Sequence, residues 1–221
     1  MQASAVSIGH AEARAPVCAG GAFSAVRDMG GHRSAVTVIV LLACCALAPT
    51  IHLRSHYSDD FPNRLAVQQS GCWGAWESYR ASTGWIRPLG YLALFATQQW
   101  LWDYPVAQQG LLLALNVALC LLTYAVATRL AGDRLAGLAA AAILAAWPSY
   151  TALTAWVAGG IQMLPAYVAL LGAMVLYLGH LAGAGSRNRY AGAVALFALS
   201  VPLHDHHLGA PALFSVLALV C

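Results

Sequence analysis

Charge is what this sequence has least of. Only 9% of its 221 residues are Asp, Glu, Lys or Arg, against roughly 25% in a soluble globular domain. Lysine is absent altogether, so every basic side chain is arginine or histidine. A chain this poor in charge cannot cover a folded surface in water, which excludes an ordinary soluble enzyme. A hydrophobic share of 60% excludes a disordered chain. The net charge of +3 is too small to bring in a nucleic acid. Walker A, dinucleotide-fingerprint, HExxH and GxSxG patterns are also missing, so a soluble nucleotide-dependent mechanism has no footing. The six cysteines form no disulfide framework. Cys44, Cys45, Cys120 and Cys221 lie in apolar runs, where a thiol is a small hydrophobe. Cys18 belongs to a polar leader, and Cys72 to a polar loop with no obvious partner.

What the chain does have is long apolar runs, with a mean hydropathy of +0.67. A transmembrane helix needs about 20 such residues. The runs 35–53, 109–128, 135–155, 161–181, 190–203 and 208–221 are the candidates. Segment 89–102 is too short to span. It reads as a helix lying in the interface, because Tyr91, Trp100, Trp102 and Tyr104 are residue types that sit at headgroup level. The expected fold is all-α: a polytopic membrane protein of about six transmembrane helices, with a long external first loop (54–108) containing interfacial helices.

Residues 1–34 read as a disordered cytoplasmic tail, and 35–221 as the transmembrane domain. Met29 is an alternative start, from which Arg33, the apolar run and Ala46-Leu47-Ala48 resemble a signal peptide. Pro49 disfavours cleavage there, and an uncleaved first helix is the better reading. The arginines orient the protein. With six spans, the tail (Arg14, Arg27, Arg33) and the turns with Arg129/Arg134 and Arg187/Arg189 share one side, which the positive-inside rule makes cytoplasmic. The expected location is the plasma (inner) membrane, multi-pass, N-terminus inside. The last run stops at Cys221, so a C-terminal truncation is expected.

In so apolar a chain, the ionisable groups off the cytoplasmic face carry the information. Asp59 and Asp60 adjoin each other just past the first run. They are either a solvated loop that caps the helix exit, or a general base or metal ligand. Trp73, Trp76 and Trp85 in the same loop can stack on a sugar or anchor the loop on the bilayer. Arg80 and Arg87 can fork onto a phosphate, or pair with Glu77 or lipid headgroups. Asp103 reads as a polar cap. His204-Asp205-His206-His207 is a polar hinge between Pro202 and Pro211, a protonated-His contact for a phosphate, or a metal site. The metal candidates are Asp60, His204, Asp205 and His206. Asn116 and His180 are single polar groups inside runs, where helix–helix hydrogen bonding is the default.

The acidic pair after the first run, the Arg87-Pro88-Leu89 that opens the next apolar segment, and the Pro148 corner together resemble the N-terminal half of a GT-C fold glycosyltransferase. The protein O-mannosyltransferase-like, polyprenyl-phosphate-sugar-dependent branches are the most similar, and the resemblance covers roughly 35–221. It implies that Asp59 or Asp60 is the catalytic base or lies beside a divalent metal. Arg80, Arg87 and His204 then become the phosphate-binding candidates. The implied reaction moves a sugar from a polyprenyl-phosphate donor to an acceptor lipid, glycan or protein at the outer face, among membrane lipids and without nucleic acid. The chain departs from that pattern in two places. The Pro148 corner carries no acid, and His204–His207 stands where some members have Lys-Glu. The competing expectations are a non-catalytic polytopic protein, such as a transporter subunit or assembly factor, and a truncated product without activity.

Overall fold

The computed structural model describes residues 29–52, 60–83, 87–147, 156–184, 187–205, 207 and 210–220. Every regular element among them is helical. Helix α1 (Met29–His52) is followed by α2 (Asp60–Thr83), which carries an acid in its first turn, where the helix dipole favours one. Gly71 breaks α2 at φ 72° and ψ 171°, a conformation that only glycine takes cheaply. Helices α3 (Pro88–Trp100) and α4 (Pro105–Ala131) both begin on proline, whose missing N–H is an orphan at that position anyway. Helix α5 (Arg134–Ala146) is capped by Asp133, which accepts from the Leu135 and Ala136 N–H groups at 3.1 Å each. It stops where Trp147, the residue before a proline, turns extended. Helix α6 (Val157–Gly179) runs on through a π turn (His180–Ala184). Helices α7 (Arg187–Leu203) and α8 (Ala210–Val220) complete the set.

Two helical stretches, Pro105–Ala131 and Val157–Ala182, are long and apolar enough to cross a membrane. They contain the expected runs 109–128 and 161–181. The other expected spans are shorter among the described residues. Gly31–Ala46, Arg134–Ala146 and Ala210–Leu219 are apolar but fall below spanning length, and α7 has 17 residues. The tail through residue 28 and the Pro148 corner lie outside the described residues.

Helix α4 packs on α1, α5 and α6, while α3 packs on α2, α6 and α7. The largest core joins Leu94 of α3, Leu112 and Leu119 of α4, and Val157, Ala158, Ile161 and Leu164 of α6. A second unites Ile39 and Ala43 of α1 with Cys120 and Tyr124 of α4 and Ala141 and Ala145 of α5. His32 Nδ1 lies 2.9 Å from the Tyr124 hydroxyl and ties α1 to α4. The loop region expected to hold interfacial helices holds α2 and α3. These close on each other through Val67, Ala75 and Phe95.

The approach of α3 to α7 depends on Gly90. A Cβ added there would clash with the carbonyl oxygen of Leu203, a backbone atom that cannot swing aside. Gly90→Ala is expected to separate the helices or strain them, at about 1–3 kcal/mol, the usual cost of overpacking. Thermal unfolding of the detergent-solubilised protein checks this. The variant should melt lower than wild type, whereas Gly110→Ala, with open space around its Cβ, should not.

Candidate functional site

Two polar clusters lie at opposite ends of α3. The first is built on Asp60, the opening residue of α2, which is fully buried. Its Oδ1 accepts from the backbone N–H of Ala158 at 3.0 Å and from Gln98 Nε2 at 3.4 Å. Ala158 is in the first turn of α6, so the carboxylate sits where that helix presents unsatisfied N–H groups and positive potential. One acid therefore serves the N-termini of two helices. Arg64, four residues further along α2, donates through Nη1 to the Gln98 carbonyl. Its guanidinium lies over the Trp102 ring, 5.5 Å from the centroid, and its Nη2 is 4.0 Å from the exposed carboxylate of Asp103.

The second cluster gathers around Arg87. This residue precedes Pro88 yet sits at φ 51° and ψ 47°, a left-handed conformation that costs a non-glycine, pre-proline residue free energy. Its Nε donates to Asp205 Oδ1 at 2.6 Å. The same oxygen is 3.6 Å from Nδ1 of the fully buried His204. Tyr167 of α6 lies beside both imidazoles, with centroids 6.5 Å from His204 and 5.0 Å from His207. The hydrogen bond from Arg87 holds the Asp205 carboxyl below the ordinary range, and the Arg87 charge adds to this against partial burial. No family model, curated protein or solved structure matches the chain.

Of the residues singled out in the sequence, Arg87, His204 and Asp205 come together. Asp60 does not join them, because its partners are at the other end of α3. Ala158 and Tyr167 mark the two clusters on α6, nine residues or about 13 Å of helix apart. Arg80 belongs to neither. It lies over the Trp76 ring at 5.8 Å in the last turn of α2. Glu77, its proposed partner, accepts from Trp73 Nε1 at 3.1 Å. Asp103 is no helix cap, since Tyr104 holds that position before α4. Asn116 accepts from Cys120 Sγ within its own helix at 3.4 Å. Asp59 and His206 lie outside the described residues. Among the described residues, no three His, Cys, Asp or Glu side chains gather as a metal site. Asp60 Oδ1, faced by two N–H donors, is also a poor ligand for a cation.

Arg64, Gln98 and Tyr167 are absent from the candidates that the sequence suggests. Arg64 carried a usable signal: an Asp and an Arg four apart share a helix face. That signal becomes legible only once 60–83 is recognised as a helix.

Two measurements check these assignments. Asp60→Ala strands the Ala158 N–H and the Gln98 amide and should lower stability by about 2 kcal/mol or more; Asp60→Asn, which keeps an acceptor, should cost less. Calorimetric or fluorescence melting in detergent reads both. At Asp205 the folded pKa is depressed. Its contribution is therefore fully present above the ordinary carboxylate value of about 4 and is lost as pH falls through the lower folded value. The melting difference between wild type and Asp205→Asn should hold steady from neutral pH down to that range and then shrink on further acidification.

Proposed function

We propose that this chain is an integral membrane glycosyltransferase, or a portion of one, that moves a sugar from a polyprenyl-phosphate donor to an acceptor at the outer face of the membrane. The observation that carries the reading is the Arg87–Asp205 contact. It joins the Arg-Pro-Leu segment to the 204–207 corner across 118 positions of sequence. One piece of the sequence resemblance, Arg87, thus meets a corner where the chain departs from that pattern, and the two bring a cation and a carboxylate together. Membrane residence is supported by an inverted surface. Leu135, Ile143, Val216 and Leu219 face outward, while Gln108, Asn116, Gln162 and Ser200 are buried. The N-terminus is cytoplasmic in this reading, and the loop containing α2 and α3 is outside.

The residues divide the work. Asp205 takes the Nε of Arg87 and leaves both Nη groups of a planar cation to meet the phosphate that departs from the anomeric carbon. The strained backbone at Arg87 fixes where that cation points. Buried His204 lies behind Asp205 and adds a donor when protonated. As the bond from the anomeric carbon to the phosphate oxygen breaks, the sugar acquires oxocarbenium character, and the acceptor oxygen closes on it. A carboxylate removes the acceptor's proton. Asp59 is assigned that task, because Asp60 Oδ1 is already engaged by two N–H donors at the helix junction. A non-catalytic polytopic protein is the second reading. The wholly buried Asp60 favours it, since a carboxylate that only joins helices needs no substrate.

The deciding experiment offers the full chain, in lipid nanodiscs, a panel of radiolabelled polyprenyl-phosphate sugars with envelope acceptors. Transfer by wild type should fall by about 10²-fold or more in Asp59→Asn, the usual loss on removing a general base. Arg87→Lys should lower turnover, because an ammonium cannot fork. Donor hydrolysis or transfer that is unchanged in both variants, or no transfer from any donor by wild type, contradicts the proposal.

A further inference from the structure

On the outer side of α2 lies an open groove of about 510 Å³, lined by Phe61, Pro62, Arg64, Leu65, Gln68 and Trp102. Its walls are mostly apolar. Phe61 and Leu65 remain more than half exposed at 58% and 53%. Phe61 and Trp102 meet edge to face at 6.0 Å. Inside this apolar setting stands one cation, Arg64, whose side chain is only 17% exposed. That cation is under-satisfied. Its Nη1 donates to the Gln98 carbonyl, but its Nε has no hydrogen-bond partner among the described residues and Nη2 reaches Asp103 only at 4.0 Å. A guanidinium so far withdrawn from water is stabilised by an anion that completes its hydrogen bonds.

The position of the groove says which anion. Trp102 and Tyr104 lead directly into Pro105–Ala131, one of the two stretches able to cross a membrane. Trp100, Tyr104 and Val106 are strongly exposed just there. Exposed aromatics at the mouth of a span mark the headgroup level of a bilayer. A cation at that level, flanked by apolar side chains continuous with the span, matches a molecule with an anionic head and an apolar tail.

We propose that this groove is a binding site for an anionic phospholipid of the bilayer. The phosphate is held by Arg64, and the chain lies along Phe61, Leu65 and Trp102. The proposal rests on the membrane reading of Pro105–Ala131 but not on sugar transfer. It is separate from Arg87, which sits at the other end of α3, eleven residues or about 16 Å of helix from Gln98.

Native mass spectrometry of the full chain, released from mixed micelles of phosphatidylglycerol and phosphatidylcholine, tests it. Wild type should retain phosphatidylglycerol in preference to phosphatidylcholine. Arg64→Gln should lose roughly tenfold or more of that retention, as expected for removing a charged hydrogen bond. Arg64→Lys should restore part of it, and Phe61→Ala should weaken it without changing the headgroup preference. The Arg87→Gln variant should retain the lipid as wild type does. Equal retention of both lipids by wild type, unchanged retention in Arg64→Gln, or displacement by inorganic phosphate alone would overturn the proposal. Retention of decaprenyl phosphate that is lost in Arg64→Gln but kept in Arg87→Gln would also overturn it, because the groove would then belong to a sugar donor. None of these outcomes depends on transfer activity, so the transferase reading can fail or survive independently. The helical circular dichroism of Arg64→Gln should match that of wild type; if it does not, Arg64→Lys and Phe61→Ala decide.

Discussion

A buried carboxylate has to be satisfied, and much of the packing of α2, α3 and α6 follows from how Asp60 is satisfied. Nothing around it is solvent, so its charge is tolerable only where donors converge. Those donors are the first turn of α6 and the side chain of Gln98 in α3. Three helices from distant parts of the sequence must therefore meet at one oxygen. Once α3 is held there, its length carries its other end to α7, where Gly90 permits the backbone contact with Leu203. The meeting of Arg87 with Asp205 is a consequence. In this sense α3 is a strut pinned by one carboxylate at each end.

The two carboxylates do different things. Asp60 is buried and engaged by neutral N–H donors, which suits a fixed junction. Asp205 has a side chain 39% exposed and is paired with a cation that keeps free donors of its own. The second arrangement suits a site that must admit and release an anion, because a half-buried, pre-aimed guanidinium loses little freedom on binding. The left-handed Arg87 is the clearest sign that local stability has been given up for placement. Arg64, at the opposite end of the strut, is a third case: a cation in an apolar groove beside a helix long and apolar enough to cross a membrane.

The apolar elements were legible in the sequence because their signal is simple. Runs 109–128 and 161–181 are continuous hydrophobic stretches, enclosed by α4 and by α6 with its π turn. Segment 89–102 lies within two residues of α3 at either end, since Pro88 opens it and Trp100 closes it. The break after Leu203 follows from Pro202. Helix α2 has no such signal. Its residues are mixed and polar and carry Gly71 and Gly74, so no stripe marks its buried face, and its helicity comes from packing on α3. The candidate site was legible only in part. Arg87, His204 and Asp205 stand out as rare charges, but no local pattern announces that residues 118 positions apart touch. Gln98 looked like an ordinary polar residue in an apolar segment. That it buries its amide against Asp60 is a property of the tertiary fold alone.

Arg87 and Asp205, if they act as one unit that aims a cation, must be coupled energetically. A double-mutant cycle with Arg87→Ala and Asp205→Ala, read by thermal unfolding of the detergent-solubilised chain, tests this most directly. The predicted result is a favourable coupling of about 0.5–1 kcal/mol or more, so that the second substitution costs little once the first is made. Strictly additive losses would contradict it, because the two side chains would then not be in contact.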